Sequence, residues 1–298
     1  MFHTVVCDML GIRYPILQGA MQGGGGVELV ATVSEAGCLG VLPTFGGTDE
    51  KLRADIAAVR ARTSKPFGVN IMPMGRGIME RCASTCIELG VPIVTTGRAD
   101  PGEDVVHRLK AAGIKVVSAI PTVEHARRME AEGVDAVVAS GAEAGGHVGT
   151  VSTLPLVPQV VDAVKIPVLA AGGIGDARGF LAALALGAVG IQMGTRFMAT
   201  TESDLNEWGR AQLLAMRETD TIVTRAMTGA TVRCIRTPEI VAYEAAVARH
   251  AESAEVRSLK HRVRGSRNEE NKADRRQSAA GRWSGERHDP TMLPTTGS

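Results

Sequence analysis

Aromatic side chains are scarce: two Trp, two Tyr and five Phe make up 3% of the 298 residues. That scarcity removes the stacking platforms on which single-stranded nucleic acid is held. Charge of one sign is lacking too, because 33 Lys and Arg face 32 Asp and Glu for a formal net charge of +1. Nucleic acid is therefore not expected as a partner. No stretch of about 20 uninterrupted apolar residues occurs, so no membrane-spanning helix is expected. The opening MFHTVVCDMLGIRYP lacks a basic segment leading into a long apolar run. No secretory signal is expected, and the cytoplasm is the expected location. Cysteines are few and unpaired in pattern: Cys7, Cys38, Cys82, Cys86 and Cys234 form no tight framework. An odd, scattered set fits a reducing compartment. Cys82 and Cys86 share a helical face but have no nearby His or Cys pair, so no metal site is expected.

What is present is rhythm. Short apolar runs alternate with longer segments of helical period. The spacing predicts strands over 15–21, 39–43, 67–72, 92–97, 115–120, 135–141, 167–173 and 190–197. Their cores read ILQGAM, LGVL, FGVNIM, PIVTTG, KVVSAI, DAVVASG, PVLAAGG and GIQMGTRF. These runs are nearly continuous in apolar residues, as parallel strands buried on both faces must be. Amphipathic helices are predicted over 27–36, 49–63, 77–89, 104–112, 123–132, 156–164 and 176–186. Several end in the same punctuation, EAGCLG, ELGVPI, AAGIKV, AEGVDA and ALGAVG. A glycine there supplies a left-handed cap before the next strand. Thr122 and Asp176 are expected N-caps. Strictly alternating strand–helix units point to an α/β fold, a closed TIM-type (β/α)8 barrel, for which about 250 residues suffice. A doubly wound open sheet is the structural alternative, and it usually stops short of eight strands.

The rhythm breaks over 200–251, where RAQLLAMRETD and PEIVAYEAAVARHAE predict helices packed over the barrel. From Glu252 the chain is rich in Arg, Ser, Gly and Asn and poor in aliphatics. Such a segment buries too little surface to offset its ordering, so residues 252–298 are expected to be a disordered tail. Residues 1–251 are expected to form one domain.

Active sites of such barrels lie at the carboxyl ends of the strands. That places Gly19-Ala20-Met21, Asn70, Thr95-Thr96, the run EAGGHVG, AAGGIGD and QMGTRF at one rim. Glycines at strand ends let a ligand approach the backbone, and free N–H groups there can hold a phosphate. The ends of strands seven and eight, helped by a helix N-terminus, are the recurring phosphate position of this fold. Gly172, Gly173 and Gly194 meet that requirement, and Thr195 adds a hydroxyl. The same glycines would also serve close packing of strand on helix. His147 places one imidazole on the glycine-rich loop after strand six, with a protonation range suited to acid–base work near neutrality. A structural histidine capping a carbonyl is the alternative. The other six histidines lie on predicted helices or near the termini and read as structural.

At these motifs the sequence resembles the nitronate monooxygenase family, with flavin-dependent enoyl-ACP reductases as close relatives. The stretches that carry the resemblance are GIRYPILQGAM, KPFGVNIM, VDAVVASGAEAGGHVG, IPVLAAGGIGD and GAVGIQMGTRF, covering most of residues 10–200. The resemblance implies flavin mononucleotide (FMN) at the open end of the barrel. Gly19, Ala20 and Met21 would run along the isoalloxazine and Asn70 would hydrogen-bond it. Gly146, Gly172, Gly173, Gly194 and Thr195 would hold the phosphate. His147 matches the histidine that contacts substrate. The implied reaction is oxidation of alkyl nitronates by oxygen to a carbonyl compound and nitrite, and relatives imply a homodimer. The alternative is an NAD(P)H-dependent enoyl-ACP reductase on the same flavin site. A third, a non-catalytic barrel that binds a phosphate metabolite, would make His147 incidental.

Overall fold

The computed structural model describes residues 2–44, 48–72, 75–97, 100–249 and 254–264. The chain divides into two compact units, Met1–Ile235 and Arg236–Ser298. The boundary falls before Arg236, whereas the composition changes at Glu252.

The first unit opens with α1 (Val5–Leu10), which lies outside the predicted elements. Eight parallel strands then follow in one sheet: β1 (Ile16–Gln18), β2 (Val41–Pro43), β3 (Gly68–Ile71), β4 (Ile93–Thr96), β5 (Lys115–Ile120), β6 (Ala136–Ser140), β8 (Val168–Ala171) and β9 (Gly190–Met193). A two-residue strand, β7 (Gly146–His147), interrupts the count. The sheet order is β1-β9-β8-β6-β5-β4-β3-β2. A parallel bridge between Leu17 and Leu39 joins its two ends, so the sheet curls into a barrel. The expected eight-stranded barrel is therefore observed. Every residue of β3, β4, β6 and β8 is buried, which is why those runs carry no polar alternation.

Helices cover the outside: α2 (Val27–Glu35), α3 (Asp49–Arg60), α4 (Arg76–Glu88), α5 (Glu103–Ala111), α6 (Val123–Ala131), α7 (Thr153–Ala163) and α8 (Ala177–Ala185). The predicted punctuation is physical. Gly37, Gly90, Gly113, Gly133 and Gly187 all have positive φ, between 60° and 92°, and each follows a helix end. Thr122 accepts from the His125 N–H, and Asp176 accepts from the Arg178 and Gly179 N–H groups. Both expected caps are present.

Two apolar clusters divide the strands by parity. Val69, Val94, Val137, Ala170 and Ile191 face the helices. Leu17, Ile93, Val117, Val138 and Leu169 form a second cluster with Val6, Cys7 and Leu10 of α1. The inner cluster fills the barrel from below and leaves polar residues for the upper end.

After β9 the structure departs from expectation. Residues 194–197, read as the end of strand eight, instead enter a short helix, α9 (Thr195–Met198). Helix α10 (Glu207–Ala215) covers only the first part of the expected RAQLLAMRETD helix and begins three residues before it. Then come β10 (Thr221–Thr224) and β11 (Val232–Ile235), an antiparallel pair inside a segment expected to be helical. They form a three-stranded sheet with β7. The two strands are only four residues long, and β11 pairs with the distant β7, so helical composition over the segment hid them.

The second unit contains α11 (Pro238–Ala248), capped by Thr237, with Ile240, Tyr243 and Ala246 buried. Residues 254–264 are helical, with Leu259 and Val263 buried, so this stretch of the expected disordered tail is ordered. Two apolar side chains one turn apart supply the buried stripe that composition averaging hides. Residues 265–298 of that tail lie outside the described residues. No described helix is long and apolar enough to cross a membrane.

Candidate active site

The carboxyl ends of the eight strands gather the expected residues at one rim, but they do not all play the same part. Asn70, on β3, is buried. Its Nδ2 donates to Thr95 Oγ1 on β4 at 2.9 Å, while its Oδ1 is buried without a partner. An orphaned carbonyl oxygen costs roughly 1–3 kcal/mol unless a donor reaches it. The arrangement suits an incoming N–H.

Gly19 follows β1, and its N–H donates to the Met193 carbonyl at 2.8 Å. A side chain on Gly19 would approach Gln192 within 3.2 Å, so the strand pair is tight there. Ala20 is half-buried. Met21 is buried with Leu29 and Val33, and Phe197 and Met198 pack on that cluster. Its sulfur would lie 3.6 Å from a Cβ at Gly194, which brings the ends of β1 and β9 together.

Gly172 and Gly173 follow β8 with φ of 104° and 72°. A Cβ at Gly172 would come within 2.8 Å of Thr153 Oγ1 and 2.9 Å of the Ala144 nitrogen, so packing alone demands glycine there. At Gly173 the nearest atom would be the Glu143 Cβ at 3.6 Å, which leaves its backbone approachable. Gly194 is similarly open and begins α9 with Thr195. The helix N-terminus expected to help is already occupied. Asp176 takes the first N–H groups of α8 and pairs with Arg178, whose guanidinium holds that carboxyl down at about 2. The backbone left approachable here is that of Gly173 and Gly194.

Thr153 is a junction that sequence reasoning missed. Its hydroxyl lies 2.9 Å from Glu143 Oε2, 3.2 Å from the Ala171 carbonyl and 3.0 Å from the Gly172 carbonyl. Its N–H also donates to Glu143 at 2.9 Å. The loop after β6 is thereby tied to the end of β8 and the start of α7. Glu143 and Ala144 pack on Gly172 and Gly173, whereas Gly146 pairs with Arg233 in the small sheet.

His147 sits on β7 opposite Val232 and is exposed. It is not on an irregular loop, as the glycine context predicts. Its Nε2 lies 3.1 Å from Thr228 Oγ1. Val148 N–H donates to the Thr231 carbonyl at 3.0 Å, and Arg233 Nε donates to the Ala142 carbonyl at 2.8 Å. The strand that holds His147, β11, comes from far downstream in the chain, and no motif near the histidine announces it.

The sequence profile for nitronate monooxygenase matches residues 3–291. A hydroxy-methyl-oxo-octahydroindene-carboxyl-CoA dehydrogenase of Rhodococcus jostii is 39% identical over 79% of this chain, and the match spans 66% of that protein's length. A Staphylococcus aureus protein named "Probable nitronate monooxygenase" is 38% identical over 76% of this chain and 77% of its own. The structure of FabK from Thermotoga maritima superposes with a TM-score of 0.79 at 42% identity, covering 83% of this chain and 78% of that one. The barrel, the motifs at its rim and this match along nearly the whole sequence agree: the chain is an oxidoreductase that belongs to the nitronate monooxygenase family.

Proposed function

We propose that the protein is an FMN enzyme that oxidises alkyl nitronates with oxygen, releasing a carbonyl compound and nitrite. One observation carries the reading: an imidazole, His147, stands on the segment after β6, and that segment packs on the Gly172–Gly173 turn, where the Gly173 backbone is open.

The residues present fit FMN. The buried, partnerless Asn70 Oδ1 suits a flavin ring N–H. The approachable backbone at Gly173 and Gly194 suits a phosphate. In this assignment Gly172, Gly173, Gly194 and Thr195 hold the phosphate, and Gly19, Ala20 and Met21 line the ring. Gly146, paired with Arg233, contributes by shaping the loop. Bound FMN supplies the redox capacity, and the protein supplies orientation and electrostatics.

His147 does two things in this scheme. With a nitronate anion it would donate a hydrogen bond to a nitro oxygen and so orient the substrate. With a neutral nitroalkane its imidazole accepts the α-proton. The packed inner cluster below Asn70 closes the barrel floor to water.

A second reading, an NAD(P)H-dependent enoyl-thioester reductase, is favoured by the likeness to FabK. Paired assays separate the two. Oxygen uptake and nitrite release with ethylnitronate, without nicotinamide, are expected. NADPH oxidation that requires crotonyl-CoA would establish the second reading instead. His147→Ala should keep bound FMN while turnover drops by roughly 100-fold or more, the scale of lost acid–base assistance. Undiminished turnover in that variant would remove His147 from the chemistry.

A further inference from the structure

We propose that Thr228 is a positioning residue for the His147 imidazole. The proposal rests on the reading that His147 contacts substrate. The backbone around His147 is held from two sides. Val232 and Arg233 pair with β7, and the Val148 N–H reaches the Thr231 carbonyl. Arg233 also bonds the Ala142 carbonyl through Nε, and Thr221 Oγ1 through Nη1 at 2.9 Å. What the sheet leaves undetermined is rotation of the ring about its side-chain bonds. The Thr228 hydroxyl, 3.1 Å from Nε2, meets that need.

The turn that presents Thr228 is itself pinned. Ala226 is fully buried, and its N–H donates to Thr224 Oγ1 at 2.9 Å. Gly229, at a φ of 91°, donates to the Arg225 carbonyl at 3.0 Å. Ala230 N–H donates to the Thr228 hydroxyl at 3.3 Å, which orients that oxygen. A hydroxyl also suits the task chemically. It can donate to an unprotonated ring nitrogen or accept from a protonated one, so it holds the ring in either state. A carboxylate would favour the cation, and an alkyl group would hold neither. Misplacement of a reacting group by about 1 Å can cost two orders of magnitude in rate, so ring orientation matters to turnover.

The test compares Thr228→Val, Thr228→Ser and His147→Ala in the FMN-loaded protein, with ethylnitronate as substrate. Thr228→Val keeps the shape and removes the hydroxyl. It should lower kcat about tenfold and change KM less than about twofold, the pattern of an interaction that matters in the transition state. FMN affinity and Tm should match the parent protein. Thr228→Ser should recover most of the lost kcat. Adding Thr228→Val to His147→Ala should cost nothing more, because the two act as one unit. Parental kcat in Thr228→Val beside an inactive His147→Ala would overturn the Thr228 assignment alone. So would a loss that Ser does not restore, or one that follows a fall in Tm or FMN affinity. Full activity in His147→Ala would instead sink the underlying reading of the site.

Discussion

Glu132, just past the end of α6, shows how one partly buried carboxyl makes stability depend on pH. Burial first, and the neighbouring Asp100 carboxylate second, push it up from 4.5 to about 7. Arg128 offsets this in part, with Nε 3.0 Å from Asp100 and 3.9 Å from Glu132, while Glu103 adds to the rise. The native state therefore holds this proton more tightly than the unfolded chain does. Its stabilising contribution is complete below about pH 4.5 and is lost as pH climbs through about 7. Thermal melts of the parent and Glu132→Gln between pH 4.5 and 8 should diverge, with only the parent losing Tm across that window. Parallel curves would contradict the assignment. At this same scale the candidate residues were partly legible. Asn70, Gly172, Gly173, Gly194 and His147 stand out because strand ends of a barrel are a short list. Thr153 and Thr228 do not stand out, since a lone threonine in a loop carries no spacing signal.

Among the elements, the helices and their caps follow directly from local chemistry. Thr122, Asp176 and the glycines after the helices act within a few residues of themselves, so periodicity and punctuation find them. The β10–β11 pair is the contrary case. Its strands are short, half exposed and stabilised by pairing with β7, a partner set by the fold. Arg233 ties that pair to the loop after β6. Arg233→Ala should leave the barrel folded and lower stability by about 1 kcal/mol, the usual worth of such hydrogen bonds. Hydrogen exchange at the Val148 amide should quicken while amides of β4 and β5 keep their protection. Unchanged exchange at Val148 would mean that Arg233 does not tether the loop. The short helix α9 was hidden for a similar reason: GTRF continues an apolar strand, and only the turn at Gly194 ends it.

For the first unit as a whole, stability rests on two nested clusters, one inside the barrel and one between strands and helices. Leu169 is fully buried in the inner cluster. Leu169→Ala should cost about 2–5 kcal/mol. A calorimetric Tm lower by roughly 4–20 °C is the expected reading for a domain of this size. A shift under about 2 °C would mean that the interior repacks without leaving a cavity. The eight barrel strands, their parallel arrangement and the rim where the candidate residues lie were legible in the sequence alone. Continuous apolar runs cannot survive except buried on both faces, and glycine-ended helices must return to a neighbouring strand. Tertiary structure alone decided how Leu17 meets Leu39 to close the barrel and which strand pairs with His147. It also decided that Asp176 caps α8 and that the backbone at Gly173 and Gly194 stays approachable. Those choices pair groups distant in the chain, and their energies come from pairing geometry that no local pattern of side chains records.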